Sequence, residues 1–100
     1  MIKSSGFRIS PTEIEEVLFQ TGKLRGAAAI GIPDEVLGQV VKVFVVAKDG
    51  TPLDPQELLS ICGEKMPRYM VPKFLEVLDE LPKTSSGKVD YPALRRREGL

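Results

Sequence analysis

The segment Gln39–Ala47 constrains the fold of this 100-residue chain more than any other part of the sequence. Six of its nine residues are Val or Phe, which favour extended backbone. A continuous apolar run of strand length is typical of a strand that is buried on both of its faces. The sequence therefore predicts a central strand inside a covered sheet.

Two segments carry the same signals for the start of a helix. Ser10–Glu13 and Asp54–Glu57 each offer an N-cap side chain, a proline at the first helical position and a glutamate that completes a capping box. Apolar residues follow both at helical spacing. We predict one helix over about Pro11–Thr21 and another from Pro55 to Lys65 or Met66, where Pro67 ends it.

The remaining elements are shorter, and together they define the fold class. The predicted class is α+β: a small central sheet of about three strands packed with two to three helices, plus a short N-terminal hairpin. A single domain spans residues 1–100. The other predicted elements are extended segments at Met1–Ser4 and Phe7–Ile9, strands at Arg25–Ile32 and Val71–Leu78, a turn at Asp34–Gly38, a loop at Leu81–Val89, and a last helix from Asp90 or Tyr91 to Arg97.

Composition excludes several classes of function. Lys plus Arg and Asp plus Glu both number 14, and this neutral balance argues against a sequence-independent nucleic-acid binder. The absence of histidine removes His-based triads and His-ligated metals, so we predict no metal site. The one cysteine, Cys62, fits a small core residue. No apolar run approaches the roughly 20 residues of a membrane span, and no signal peptide is apparent, so we expect a cytoplasmic protein.

The loop Leu81–Val89 contains the most informative polar pattern. Gly87 permits a positive φ or a close approach to a ligand, and Lys88 presents a cation suited to phosphate or carboxylate oxygens. A phosphate-binding P-loop also ends in Gly-Lys. However, it requires a glycine where this chain has Pro82 and a Ser or Thr where it has Val89. We therefore reject a P-loop.

Four blocks of sequence resemble signatures of the adenylate-forming superfamily, which includes acyl-CoA synthetases, luciferase and the adenylation domains of peptide synthetases. They cover essentially the whole chain and stand in the family's order. At Ser5–Arg8 the chain reads Ser-Gly-Phe-Arg, where many members have Gly-Gly-Glu-Asn, and this departure favours acyl-CoA ligases. The four blocks are Met1–Glu15, Gly31–Gly38, Arg68–Pro72 and Pro82–Val89.

The resemblance implies the C-terminal mobile subdomain of an AMP-forming acyl-CoA ligase. Such enzymes use ATP to convert a carboxylate into an acyl-adenylate, and then transfer the acyl group to coenzyme A. By resemblance, Lys88 is the catalytic lysine of the first step, and Thr84 and Gly87 support its loop. Lys3 and Gly6 match residues that bind the thiol substrate in the second step.

The resemblance also names the partners that such a subdomain requires. These are a large N-terminal adenylation domain of the same polypeptide, which would hold ATP with Mg²⁺, and a carboxylic acid. That domain is absent from this sequence, so the chain looks like an excised or separately expressed part, inactive alone. The alternative is a standalone binding or regulatory module that keeps the fold. Which acid is activated, and whether the acceptor is free coenzyme A or a carrier protein, stay open.

Other charged groups are given structural roles. We interpret Glu13, Glu15 and Glu16 as capping residues and a solvated helix face. We expect Asp34 and Gly38 to shape a loop. The cluster Arg95–Arg97 favours the end of the last helix through its dipole, with a contact to coenzyme A phosphates as the weaker alternative.

Overall fold

The structure is a computed structural model that describes residues 2–100. The predicted central strand lies in the middle of its sheet. The prediction of an α+β fold is confirmed. In chain order the elements are β1 (Ile2–Ser4), β2 (Phe7–Ile9), α1 (Pro11–Phe19), β3 (Leu24–Asp34), β4 (Gly38–Ala47), α2 (Pro55–Lys65), a short 3-10 helix (Arg68–Met70), β5 (Phe74–Val77) and α3 (Tyr91–Arg97). Met1, which the sequence placed in the first extended segment, lies outside the described residues.

The strands form one mixed five-stranded sheet around β4. Along one edge, β3 pairs antiparallel with β4 over its full length. The other edge of β4 is shared: β1 meets it where Ser4 pairs with Gly38, and β5 runs parallel to it further along. The N-terminal hairpin of β1 and β2 therefore extends the sheet instead of standing beside it.

Both faces of β4 are buried, as the apolar run predicts. Alternate residues point to opposite faces, because side chains along a strand have a period of two. One face packs against α1 and α2 through Val41, Val43 and Val45. The other packs against α3 through Phe44 and Val46, with Leu94 among their neighbours. Two core layers therefore flank the sheet.

The helix starts differ from the predicted capping boxes. Ser10 occupies the N-cap position of α1, but its side chain makes no capping hydrogen bond. Asp54 does cap α2, accepting from the Gln56 amide at 3.0 Å. Glu57 does not close a box, because its carboxylate pairs with Lys23. Proline and the N-cap residue thus located both helices, although the predicted reciprocal hydrogen bonds are wrong.

Two further observations complete the fold. Cys62 is fully buried among the side chains between the sheet and α2, as expected of a core residue, and burial raises the pKa of its thiol. Across residues 2–100, no helix combines the length and apolar character that a membrane crossing requires.

Candidate functional site

The predicted loop around Lys88 is a tight hairpin over residues 83–89. Its base is an antiparallel bridge between Lys83 and Val89. The Thr84 amide donates to the Lys88 carbonyl at 2.7 Å, and the Gly87 amide donates to the Thr84 carbonyl at 2.9 Å. Gly87 has a φ of +85°, a conformation that side chains other than glycine rarely adopt. The structure thus brings Thr84, Gly87 and Lys88 together.

The side chain of Thr84 reinforces this turn. Its Oγ1 accepts from the Lys88 amide at 3.3 Å and lies 3.0 Å from the Ser86 hydroxyl. Lys88 itself is exposed. In the part of the chain that the structure describes, no carboxylate lies within ion-pair distance of its ammonium group. The hairpin therefore presents a cation with three N–H donors that no described acid neutralises.

The upstream end of the hairpin is tied to the start of β3. Arg25 makes a two-pronged contact with Glu80, with Nη1 to Oε1 at 2.9 Å and Nη2 to Oε2 at 3.1 Å. The hydrogen bond from Arg25 holds the pKa of the Glu80 carboxyl below its usual range. The next residue, Leu81, is buried against the side chains below α3. The chain thus enters the hairpin from an anchored position.

The downstream end is tied to both α1 and β3. The Asp90 amide donates to the Pro82 carbonyl at 2.9 Å, which closes the hairpin. The next residue, Tyr91, donates its hydroxyl to Glu15 at 2.6 Å, and the same carboxylate oxygen accepts from the Ala29 amide at 2.9 Å. Burial, helped by the hydrogen bond to Glu15, raises the pKa of Tyr91. Glu15 is therefore a tertiary anchor, and its interpretation as part of a solvated helix face is wrong.

An ion-pair network holds the far end of α3. Lys42 lies 3.0 Å from Glu76 and 2.7 Å from Glu98, and Arg97 also pairs with Glu76. The hydrogen bonds from Arg97 and Lys42 lower the pKa of Glu76. The Arg97 side chain thus has a specific partner on β5, beyond any general effect of the helix dipole.

The second predicted group of site residues lies on the hairpin between β1 and β2. Ser5 and Gly6 form its two-residue turn with φ values of 52° and 82°. Positive φ at both central residues defines the type I′ turn that suits two-residue hairpins. A Cβ at Gly6 would meet no atom of the described chain within 4 Å, so within this chain the positive φ is what favours glycine here. Lys3 is exposed, and its amide donates to the Gln39 side chain at 2.9 Å.

We expect Gly6→Ala to lower the free energy of unfolding by about 1–2 kcal/mol, because alanine is strained at positive φ. The matched control is Gly63→Ala, since Gly63 lies within α2 and also has open space where a Cβ would stand. This second change should stabilise the chain by about 0.5–1 kcal/mol. Urea denaturation measures both effects. Equal effects of the two changes would contradict the role of backbone conformation at Gly6.

A groove of about 480 Å³ opens beside this hairpin. Phe7 stacks on Tyr69 across it, with ring centroids 4.0 Å apart and planes 8° from parallel. The exposed cations Arg68 and Lys73 also line it. Sequence reasoning recognised the block around Tyr69 without assigning it a role. The sequence feature that could have indicated this groove is Phe7, an aromatic residue directly after the Gly6 turn.

The two groups of site residues lie on separate hairpins, one between β1 and β2 and the other over residues 83–89. The β1–β2 hairpin pairs with β4 at Gly38. Lys83, at the base of the other hairpin, lines a small cavity together with Val46. At about 3.4 Å per residue, the distance along β4 from Gly38 to Val46 is about 27 Å. Ser4 and Lys83 therefore adjoin different parts of the central strand.

A family model and several known proteins match this chain. The family model described as "AMP-binding enzyme C-terminal domain" matches residues 13–88. A long-chain-fatty-acid–CoA ligase of Yersinia pestis is 48% identical over 98% of this chain and 17% of its own length. A 4-hydroxybutyrate–CoA ligase of Metallosphaera sedula is 41% identical over 98% of the chain and 18% of its own length.

A solved structure agrees with these relatives. The crystal structure of an acyl-CoA synthetase of Brucella canis superimposes with a TM-score of 0.89 at 34% identity, covering 98% of this chain and 19% of that one. The chain thus spans about a fifth of the length of the proteins that it matches.

Proposed function

This chain belongs to the family of C-terminal domains of AMP-binding enzymes, and on that premise we propose that it is the mobile C-terminal part of an AMP-forming acyl-CoA ligase. In the first half-reaction a carboxylate attacks the α-phosphate of ATP, giving acyl-AMP and pyrophosphate. In the second, the thiol of coenzyme A attacks the acyl carbon and releases AMP. A large N-terminal domain of the same polypeptide is the partner in both.

The observation that carries this proposal is the Lys88 hairpin. Its cation has no acid partner among the described residues, while both ends of the hairpin are anchored by Glu80 and Tyr91. An unneutralised cation on an anchored backbone suits the stabilisation of charge that grows on phosphate oxygens during adenylate formation. Thr84 and Gly87 give the turn its shape, so Lys88 is presented from a defined backbone.

The β1–β2 hairpin is the observation that supports our proposal for the second half-reaction. Lys3 and the turn at Gly6 lie beside the groove that Phe7 and Tyr69 line. We propose that the pantetheine arm of coenzyme A passes over the Gly6 turn, where a side chain is absent. The cations Arg68 and Lys73 on the groove suit phosphate oxygens at the other end of coenzyme A.

The positions of the two hairpins support sequential use. They are separate segments, and Ser4 and Lys83 lie beside different parts of β4, which supports a separate role for each hairpin. We propose that the domain rotates between the half-reactions, presenting Lys88 first and the Gly6 hairpin second. A single rigid domain then serves both half-reactions, one after the other.

Two components of the reaction are placed outside this chain. Residues 2–100 bring together no group of three His, Cys, Asp or Glu side chains fit for a metal ion. We propose that the Mg²⁺ that accompanies ATP is held by the large domain. Relatives named for a long-chain fatty acid and for 4-hydroxybutyrate match this chain at 48% and 41% identity, which supports placing the acid pocket there too.

The proposal is tested by comparing the 100-residue chain with the full enzyme that contains it. We expect the full enzyme to release pyrophosphate and AMP with ATP, coenzyme A and one acid from a panel of carboxylic acids. The chain alone should release neither above the rate without enzyme. Pyrophosphate release by the isolated chain, or formation of ADP in place of AMP by the full enzyme, would contradict the proposal.

A further inference from the structure

The carboxylate of Asp34 organises the turn between β3 and β4. Its Oδ1 accepts from the amides of Val36 at 2.9 Å and Leu37 at 2.8 Å. These hydrogen bonds, the one from Leu37 first, hold the pKa of the Asp34 carboxyl below its usual range. Its Oδ2 lies 3.7 Å from the Lys73 ammonium on the rim of the groove. Asp34 is therefore charged at neutral pH and tied to the backbone of its own turn.

That turn in turn holds the β1–β2 hairpin. Leu37, whose amide donates to Asp34, accepts at its carbonyl from the Ser5 amide at 2.9 Å. Ser5 is the first residue of the positive-φ turn. The adjoining pair, Ser4 with Gly38, is the ladder contact between β1 and β4 in the described part of the chain. The backbone of residues 34–38 thus helps to place the hairpin on the sheet, together with the contacts of Lys3 with Gln39 and of Phe7 with Tyr69.

We propose that Asp34 is a positioning residue for the thiol-transfer half-reaction. It acts through Leu37 and Ser5 on the hairpin that carries Lys3 and Gly6. Its described hydrogen bonds lead to Val36 and Leu37, and none leads to the Lys88 hairpin. The inference rests on the function proposed above, and it adds a residue that supports one half-reaction and leaves the other unaffected.

The first experiment measures backbone protection in the 100-residue chain, without any substrate. Asp34→Ala should increase hydrogen exchange of the Ser5 amide by about tenfold. The reason is that Leu37, which accepts from the Ser5 amide, loses the hydrogen bond that holds it to Asp34. Asp34→Asn keeps an oxygen acceptor and should leave Ser5 near wild type. The matched control is Asp54→Ala. It removes a similar hydrogen bond, from the Gln56 amide to a carboxylate, at the start of α2 in a different part of the chain. Unchanged Ser5 exchange in Asp34→Ala would overturn the inference.

The second experiment measures each half-reaction in the full enzyme. Asp34→Ala should slow thioester formation from preformed acyl-adenylate roughly 10- to 100-fold, as expected when a reacting group is misplaced by about 1 Å. Adenylate formation should stay within about twofold of wild type. Asp34→Asn should stay within about fivefold in both, because the exposed contact with Lys73 contributes little.

The outcomes separate this inference from the proposed function. Equal loss of both half-reactions in Asp34→Ala, or loss of neither, would overturn the positioning role. Asp54→Ala should affect the two half-reactions equally. A wild-type enzyme that forms no thioester would instead refute the function itself.

Discussion

In the full enzyme, Lys88→Ala is expected to slow adenylate formation by about 10²–10³-fold, the loss typical of removing one preorganised donor from a developing anion. The reason is geometric: the hairpin at residues 83–89 presents the Lys88 ammonium to solvent, with no described carboxylate close enough to neutralise it. Thioester formation from preformed acyl-adenylate should be retained. Pyrophosphate exchange and a single-turnover thiolysis assay measure the two steps.

The matched control for this change is Lys83→Ala. Both lysines are exposed and belong to the same hairpin, so loss of charge alone affects them alike. We expect Lys83→Ala to alter either step by no more than about twofold, as for most surface substitutions. Similar losses in the two variants would show that net charge matters instead of a positioned Lys88. Equal loss of both half-reactions in Lys88→Ala would contradict its assignment to one step.

The largest expected effect on stability comes from Phe44→Ala. Phe44 is fully buried on β4, on the face that α3 covers, near Leu94. Removing a buried phenylalanine side chain costs about 3–5 kcal/mol. Domains of this size are stable by only about 5–15 kcal/mol in total. Urea denaturation should therefore show a markedly lower midpoint, and Phe44→Leu, which keeps most of the volume, should lose less than half as much.

Phe74→Ala is the control, because Phe74 lies on the neighbouring strand β5 and is 45% exposed. Its removal leaves little cavity, and we expect a loss of about 1 kcal/mol or less. If the two phenylalanine variants had the same stability, the face of β4 under α3 would not be a core. Because α3 follows the Lys88 hairpin directly, Phe44→Ala should also weaken adenylation in the full enzyme.

The grouping of candidate site residues was predictable where these residues are neighbours in the chain. Thr84, Gly87 and Lys88 form one turn, so a short motif was enough to group them. The same holds for Lys3 and Gly6. The groove was not predictable, because Phe7 and Tyr69 are far apart in sequence and meet through the packing of β2 against the segment before β5.

Glu15 shows the limit of local reasoning most clearly. By sequence it is one of several glutamates in the first turns of α1, and nothing nearby distinguishes it from Glu16. Its partner Tyr91 lies 76 residues away. A hydrogen bond between such distant residues depends on how two helices dock on one sheet, which no local pattern describes.

The sequence by itself determined most elements of this protein, its α+β class and the loop that presents Lys88. Each of these depends on short-range physical causes: side-chain periodicity, proline and N-cap residues at helix starts, and glycine at a positive-φ turn. The tertiary structure alone decided that the β1–β2 hairpin joins β4, that β5 runs parallel to it, and that Glu15 and Tyr91 anchor the Lys88 hairpin. These features join distant residues, and their free energy exists only when the whole chain is packed.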